Sequence, residues 1–522
     1  MARYKPYNLK QDKMIPLSYA DQIVPGSFEY ALNEIVEEHL DLSVFERRYR
    51  NDDTGRLAYD LKVLLKIVLY GYSKGMISSR KLEEACRRNV VFMALSADTR
   101  PHFTTIAGFV SELESEIVAL FRDVLLYCEE LGLIGKEHFA VDGCKLPSNA
   151  SKQWSGTHEE LRERQKKMEK TAREIVGRHR QRDEREKQGP VAEQEEKKLA
   201  TYREKIRKIK AFLSRAEKNM GPSGNERKSN ITDPDSAKMS TAHGVIQGYN
   251  GVAVVDERHQ IVVHAQALGE GQENHLLEPM VKATRESFEA IGGREDVFAK
   301  ATLTADSGYH SKQSMEYIAN SEVDAYVADR EMRRRDPAFA NAGRYKERHR
   351  KEQRRRHSGS AEPKWFTPAD FVYDESKQTC ICPAGHRLYR SGVDIVTSGY
   401  RGAHFKAPKS ACGPCELRRQ CLRYPDRTAQ RQVVFFKGRQ PDKPRAPKAP
   451  PAAIEAMKRK IDSVLGRLIY GRRIATVEPV FANLQNKGMR RFTLRGQGKV
   501  STQWKLFTLV HNIEKIANYA AA

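Results

Sequence analysis

The sequence predicts an α/β core, a mixed sheet flanked by helices, carrying an all-α N-terminal domain, a helical-hairpin insertion and a small cysteine-rich insertion. Three observations predict it. Residues 28–135 show helical periodicity and no strand pattern. From 137 to 328, short apolar runs bounded by turn residues alternate with helical stretches. Two blocks interrupt that alternation, a charged one at 157–218 and one at 371–425 that holds five of the eight cysteines.

The N-terminal region, 1–135, contains the apolar block Leu61, Val63, Leu64, Leu65, Ile67, Val68 and Leu69. Ser79, followed by Glu83, reads as the capped start of a second helix. Ile106 to Glu130 reads as a third, with Val110, Leu113, Ile117, Leu120, Phe121 and Leu125 at helical intervals. A structural and dimerising helical domain and a DNA-reading one both fit; Arg47, Arg48, Arg50, Arg80, Arg87 and Arg88 favour the second.

The span 136–332 reads as the first part of the sheet. His138 to Leu146 is an apolar strand with one carboxylate, Asp142. Thr157 with Glu160 opens the charged hairpin 157–218, broken at Gly189-Pro190. Val245–Val255 and Gln260–Ala267 flank the turn residues 256–259. A helix follows over 273–291, then the short strand Ala301–Ala305 ending at Asp306, a helix over 312–320 and a strand over 325–328. Residues 333–450 form a basic and cysteine-bearing insertion, with an Arg-rich run at 344–356 and a Pro/Lys/Ala linker at 441–451. Residues 451–522 return to helix and carry Glu478.

The chain has 522 residues, with 91 Lys plus Arg against 68 Asp plus Glu, a net charge of +23. Such a surplus favours a polyanionic partner, since each phosphate neutralised releases condensed counterions. No apolar run reaches the ~20 residues that span a bilayer, and Met1–Lys5 begins no signal peptide. A cytoplasmic, nucleoid-associated protein is expected, with its cysteines as thiols or metal ligands.

The element order is that of an RNase H-like sheet, in which the first and fourth strands are neighbours. Asp142 within one strand and Asp306 at the end of the other then converge, and a helical Glu478 completes the set. Phosphodiester cleavage needs such convergence, because divalent metals must stabilise both the attacking and the departing oxygen. Oxygen ligands suit Mg²⁺ or Mn²⁺, and two ions per site are expected.

The segments 139–143, 305–311 and 476–481 resemble the three acidic motifs of bacterial insertion-sequence DDE transposases, in the long subgroup with a helical N-terminal domain and a cysteine-bearing insert. Trp154-Ser155-Gly156-Thr157 and Arg490 to Gly496 resemble that family as well. The resemblance implies metal-dependent cleavage at the ends of an insertion sequence and strand transfer into target DNA, with Asp142, Asp306 and Glu478 as catalytic metal ligands. It also implies double-stranded DNA with terminal inverted repeats as partner, and a homodimer or larger assembly. An RNase H-like nuclease without strand transfer, and a catalytically silent DNA-binding derivative, are the competing readings. One departure stands out. Related chains carry Tyr, Arg and Lys around the Glu as Y-x2-R-x3-E-x6-K, and those positions here hold Gly471, Ile474 and Gln485, with Tyr470, Arg473 and Lys487 displaced.

Cys380, Cys382, Cys412, Cys415 and Cys421 read as a structural Zn²⁺ site or as free thiols; Cys412-x2-Cys415 has knuckle spacing. Trp154, Arg472, Arg473, Lys487, Arg490 and Arg491 are the candidate DNA contacts near the acids.

Overall fold

The computed structural model describes residues 16–48, 57–183, 190–221, 224–241, 244–339, 365–397, 400–439 and 452–520. Contacts divide the chain into two units, one of 1–332 with 451–522, the other of 333–450.

In the first unit, strand β1 (His138–Pro147) is central because Phe139, Ala140 and Val141 are apolar on both faces and wholly buried. Strands β2 (Ser155–Gly156) and β3 (Ser229–Asn230) pair across the base of the hairpin insertion. Beyond it come β4 (Ala237–Thr241), β5 (Gly244–Asp256), β6 (Val262–Leu268), β7 (Thr302–Ala305) and β8 (Asp324–Val327). The sheet order is β4-β5-β1-β7-β8, with β6 also on β5. Long β5 pairs β4 along its first half and β6 along its second, both antiparallel, whereas β1, β7 and β8 are parallel to one another. The first and fourth core strands therefore lie side by side. Asp256 fixes the entry to β1 by accepting the backbone N–H groups of Gly135 (3.0 Å) and Lys136 (2.9 Å).

Among the described residues, six α-helices precede the sheet: α1 (Phe28–Glu34), α2 (Leu61–Ser73), α3 (Ser79–Arg88), α4 (Val90–Leu95), α5 (Phe103–Glu112) and α6 (Glu116–Glu130). Two expectations need correction. Ser79 is the first residue inside α3, with Ser78 at the cap position and no side-chain cap bond, so Ser79 and Glu83 form no capping box. The helix expected over 106–130 is two helices, because the chain turns at 113–115. Arg47 and Arg48 are described only in their backbone, and Arg50 lies outside the described residues.

The insertion consists of α7 (His158–Asp183) and α8 (Pro190–Arg215), joined through 184–189, which includes Gly189 and is not described. The expected capping box opens α7: Thr157 N–H donates to Glu160 and Glu160 N–H to Thr157 Oγ1, each at 3.2 Å. Leu161, Ile209 and Phe212 form the hairpin's own small core.

After β6 follow α9 (Leu277–Ala290), α10 (Lys312–Asn320) and the short α11 (Met332–Arg335). The second unit is an antiparallel meander of β9 (Val372–Asp374), β10 (Thr379–Ile381), β11 (Arg387–Thr397), β12 (Tyr400–Lys406) and β13 (Gln432–Arg439). Two single-turn helices, α12 (Lys409–Cys412) and α13 (Arg418–Cys421), lie between β12 and β13. The Arg-rich run 344–356 and the whole linker expected at 441–451 fall outside the described residues.

The first unit closes with α14 (Ala452–Asp462), α15 (Val464–Asn486) and α16 (Gln497–Tyr519). Helix α15 crosses β1 and β7, and α16 packs between β6 and helices α1, α2 and α6. One hydrophobic core thus joins the N-terminal helices to the sheet. Asn512 on α16 bonds both the N–H and the C=O of Val262 at 2.9 Å, satisfying an edge strand that would otherwise expose them.

Candidate active site

Asp142 and Asp306 are positioned by strand register. Val141 of β1 is level with Ala305, the last residue of β7. One step on, the two aspartates stand abreast on parallel neighbours, with side chains on the same side of the sheet. Asp142 accepts Gly143 N–H at 2.8 Å on one oxygen and Arg473 Nη1 at 2.6 Å on the other. Asp306 accepts Gly308 N–H at 2.7 Å, closing a turn over Ser307.

Glu273, in the segment before α9, joins them. Its carboxylate accepts Asn250 Nδ2 at 2.9 Å. A Cβ on Gly308 would lie 2.3 Å from Glu273 Oε2 and 2.9 Å from Asp306 Oδ1, so a larger residue would push the two carboxylate ends aside over this turn. Burial pushes the Asp142 carboxyl upward; Arg473 and the Gly143 N–H draw it back, and the Asp306 charge raises it again. Glu273 is raised likewise, first by burial, with Lys145 opposing and Asp306 and Asp142 adding to the rise. Burial works against the charge of Arg473, but Asp142 outweighs it and the guanidinium is held charged. Tyr309 is buried beside the cluster, and burial lifts its hydroxyl well above its ordinary value.

These residues fit a divalent cation by donor chemistry. Two carboxylates resist charging until a cation offsets them, and the buried Asn250 Oδ1 and Tyr309 hydroxyl have no hydrogen-bond partner. Among the described residues, however, no three His, Cys, Asp or Glu side chains are already drawn around one metal position.

Glu478 is on α15, as expected, but solvent-exposed. It follows Arg473 by five residues, about 140° around the helix, and Arg473 is the residue facing Asp142. Of the candidate DNA contacts, Arg490 and Arg491 are exposed, whereas Arg472 pairs with Glu257. Arg473 and Lys487 are each only 9% exposed, and Lys487 pairs with Glu514 at 2.8 Å. Trp154 packs against the hairpin core with Lys205 over its ring at 5.7 Å.

Sequence reasoning missed Glu273, Asn250 and Tyr309. A signal existed for Tyr309, an aromatic beside the second acid, but none singled out Glu273 within Gly269–Glu273.

In the second unit, Cys382, Cys412, Cys415 and Cys421 line one cavity, while Cys380 lies buried within β10. All described cysteines are free thiols.

Two family models match the chain: a transposase DDE domain over residues 381–517 and a transposase domain of the DUF772 type over 18–112. Both matches are to transposase domains, and over these segments the chain is similar to the DDE transposases. No curated protein matches it. The DDE match covers Glu478 and the four cavity cysteines, and the other match spans α1 to α5; Asp142 and Asp306 lie between the two. Transposase families act on DNA and the DDE domain class uses divalent metal, which supports a DNA-processing enzyme in general. None of the chain's described helices is long and apolar enough to cross a membrane.

Proposed function

We propose that the protein is an insertion-sequence transposase that cleaves double-stranded DNA and transfers the freed strand to a target, using an RNase H-like core and Mg²⁺ or Mn²⁺. The observation that carries this is the placing of Asp142 and Asp306 abreast on parallel neighbouring strands. The strand order β6-β5-β1-β7-β8 supports the core assignment. A divalent cation held by these acids would supply Lewis-acid stabilisation to the attacking and leaving oxygens.

The chain's own groups do the rest. Gly143 and Gly308 N–H groups hold the two aspartates oriented. Asn250 aims Glu273 at the same place. Arg473 supplies the counter-charge that keeps Asp142 tolerable in a buried strand. Exposed Arg490 and Arg491, and the surplus of +23, favour duplex DNA as partner. Handling two DNA ends together calls for at least a dimer.

The third acid is Glu478 by its motif, and Glu273 is its rival by proximity to the pair. Cleavage of supercoiled DNA bearing the sequences that flank the coding frame tests the proposal. Asp142→Asn and Asp306→Asn should each abolish cleavage, and full activity in either would sink the assignment. Glu478→Gln against Glu273→Gln identifies the third ligand. Strand-transfer products support a transposase, nicking alone a nuclease, and binding without cleavage a silent derivative.

A further inference from the structure

We propose that Cys382, Cys412, Cys415 and Cys421 form a structural zinc site in the 333–450 unit, and that Cys380 is excluded from it. The four thiols come from three separate places: the turn after β10, the end of α12 with the loop behind it, and the end of α13. They line a single cavity of about 30 Å³, room for one water-sized guest. Cys380, two residues from Cys382, is held in the sheet by its pairing with Leu388 and Tyr373 and packs into the unit's core.

Local geometry turns the chosen cysteines inward. At the end of β10, Gly385 N–H donates to Cys382 O at 2.8 Å and Cys382 N–H to His386 O at 3.0 Å. That tight turn requires the left-handed backbone at Gly385 (φ +79°) and lifts Cys382 off the strand line. Cys412 and Cys415 follow at two-residue spacing, with Arg418 N–H bonded to Cys415 O at 3.0 Å.

The surroundings suit thiolates. Cys412 Sγ receives the backbone N–H of Arg431 at 3.4 Å and Nη1 of Arg418 at 3.7 Å. Donors to sulfur stabilise the charged form that a metal binds. Four thiolates around Zn²⁺ leave a charge of about −2, and the two guanidinium groups lining the cavity, Arg418 and Arg431, offset it. Both also bind the loops around the site, Arg418 through Pro425 O and Thr428 O, Arg431 through Cys421 O and Phe366 O.

The unit has a use for a staple. Among the described residues its core cluster is nine buried side chains, two of them Cys380 and Cys412, which is little apolar surface to hold five strands. The thiols border the cavity without yet meeting at one centre; zinc at the usual ~2.3 Å from sulfur would draw them together. His386 also lines the cavity, but its ring is exposed and the cysteine set is complete without it.

The test uses the full chain, purified under reducing conditions with zinc present and then dialysed. Elemental analysis should give about one zinc per chain. The cobalt-substituted chain should show thiolate-to-cobalt charge-transfer bands and tetrahedral ligand-field absorption. Cys415→Ser and Cys382→Ser should lose the metal, and Cys380→Ser should keep it. Absence of zinc and of the cobalt bands in the unmutated chain would overturn the proposal, whether or not any variant folds. So would loss of metal from Cys380→Ser as complete as from Cys415→Ser. Asp142→Asn should retain its zinc, so this result and the cleavage assay can fail separately.

Discussion

The acidic cluster and the cysteine cluster solve the same problem, holding anionic ligands close together, in opposite ways. The acids sit on the central strands of a large sheet, where register alone sets Asp142 beside Asp306 and a permanent cation, Arg473, occupies one carboxylate oxygen. The cysteines sit on turns and single-turn helices around a small core, where no sheet register places them and peripheral guanidinium groups stand by. A rigid scaffold can store repulsion between ligands before a metal binds. A small one gains its shape from the metal itself.

The largest effect that would sharpen this contrast is chemical. Asp142→Asn and Asp306→Asn should lower DNA cleavage by ~10³-fold or more, the equivalent of several kcal/mol of lost stabilisation. Next is the counter-ion. Arg473→Gln leaves Asp142 buried without its partner, and should destabilise the first unit by about 3 kcal/mol. Added Mn²⁺ should restore more melting temperature to that variant than to the unmutated chain. Equal rescue in both would show that Arg473 does not share its place with a metal.

A third prediction concerns acid. Burial depresses His511 to about 4 and His138 to about 4, both in the first unit. Their folded values lie below the unfolded one, so their contribution is complete above about pH 6.5 and is lost as pH falls toward 4. The first unit should lose on the order of 2–3 kcal/mol per histidine across that window, measurable by urea denaturation at pH 7, 5.5 and 4.5. His511→Gln should flatten the dependence, and an unchanged slope would remove His511 from the account. Any acid loss in the cysteine unit should instead be reversed by added zinc. The smallest effect is local: Thr157→Ala removes the capping box of α7 and should cost about 1 kcal/mol, read as earlier fraying of the hairpin by hydrogen exchange.

What was legible in the sequence followed from periodicity and order. The adjacency of the strands bearing Asp142 and Asp306 was readable from element order, the bounds of α10 from its apolar spacing, and the start of α7 from Thr157 and Glu160. Rotations and irregular backbone were not. Arg473 rather than Glu478 faces Asp142 because packing fixes which stripe of α15 is inside, and one residue changes direction by about 100°. Glu273 reaches the acids from a segment without periodicity, through a clearance over Gly308. Cys380 and Cys382 look equivalent as letters, and differ because the strand ends between them.

The hairpin insertion has a consequence for how the chain folds. Asp142 pairs with Ala253, so the central ladder must close a loop of more than a hundred residues before any of its contacts form. Helices α7 and α8 meet through near neighbours in sequence, and β2 with β3 clasp their base. If the hairpin forms first, it removes most of that loop from the search, and β1 meets β5 across a short span instead. An insertion that lengthens the chain between two strands would then delay their meeting far less than its length implies.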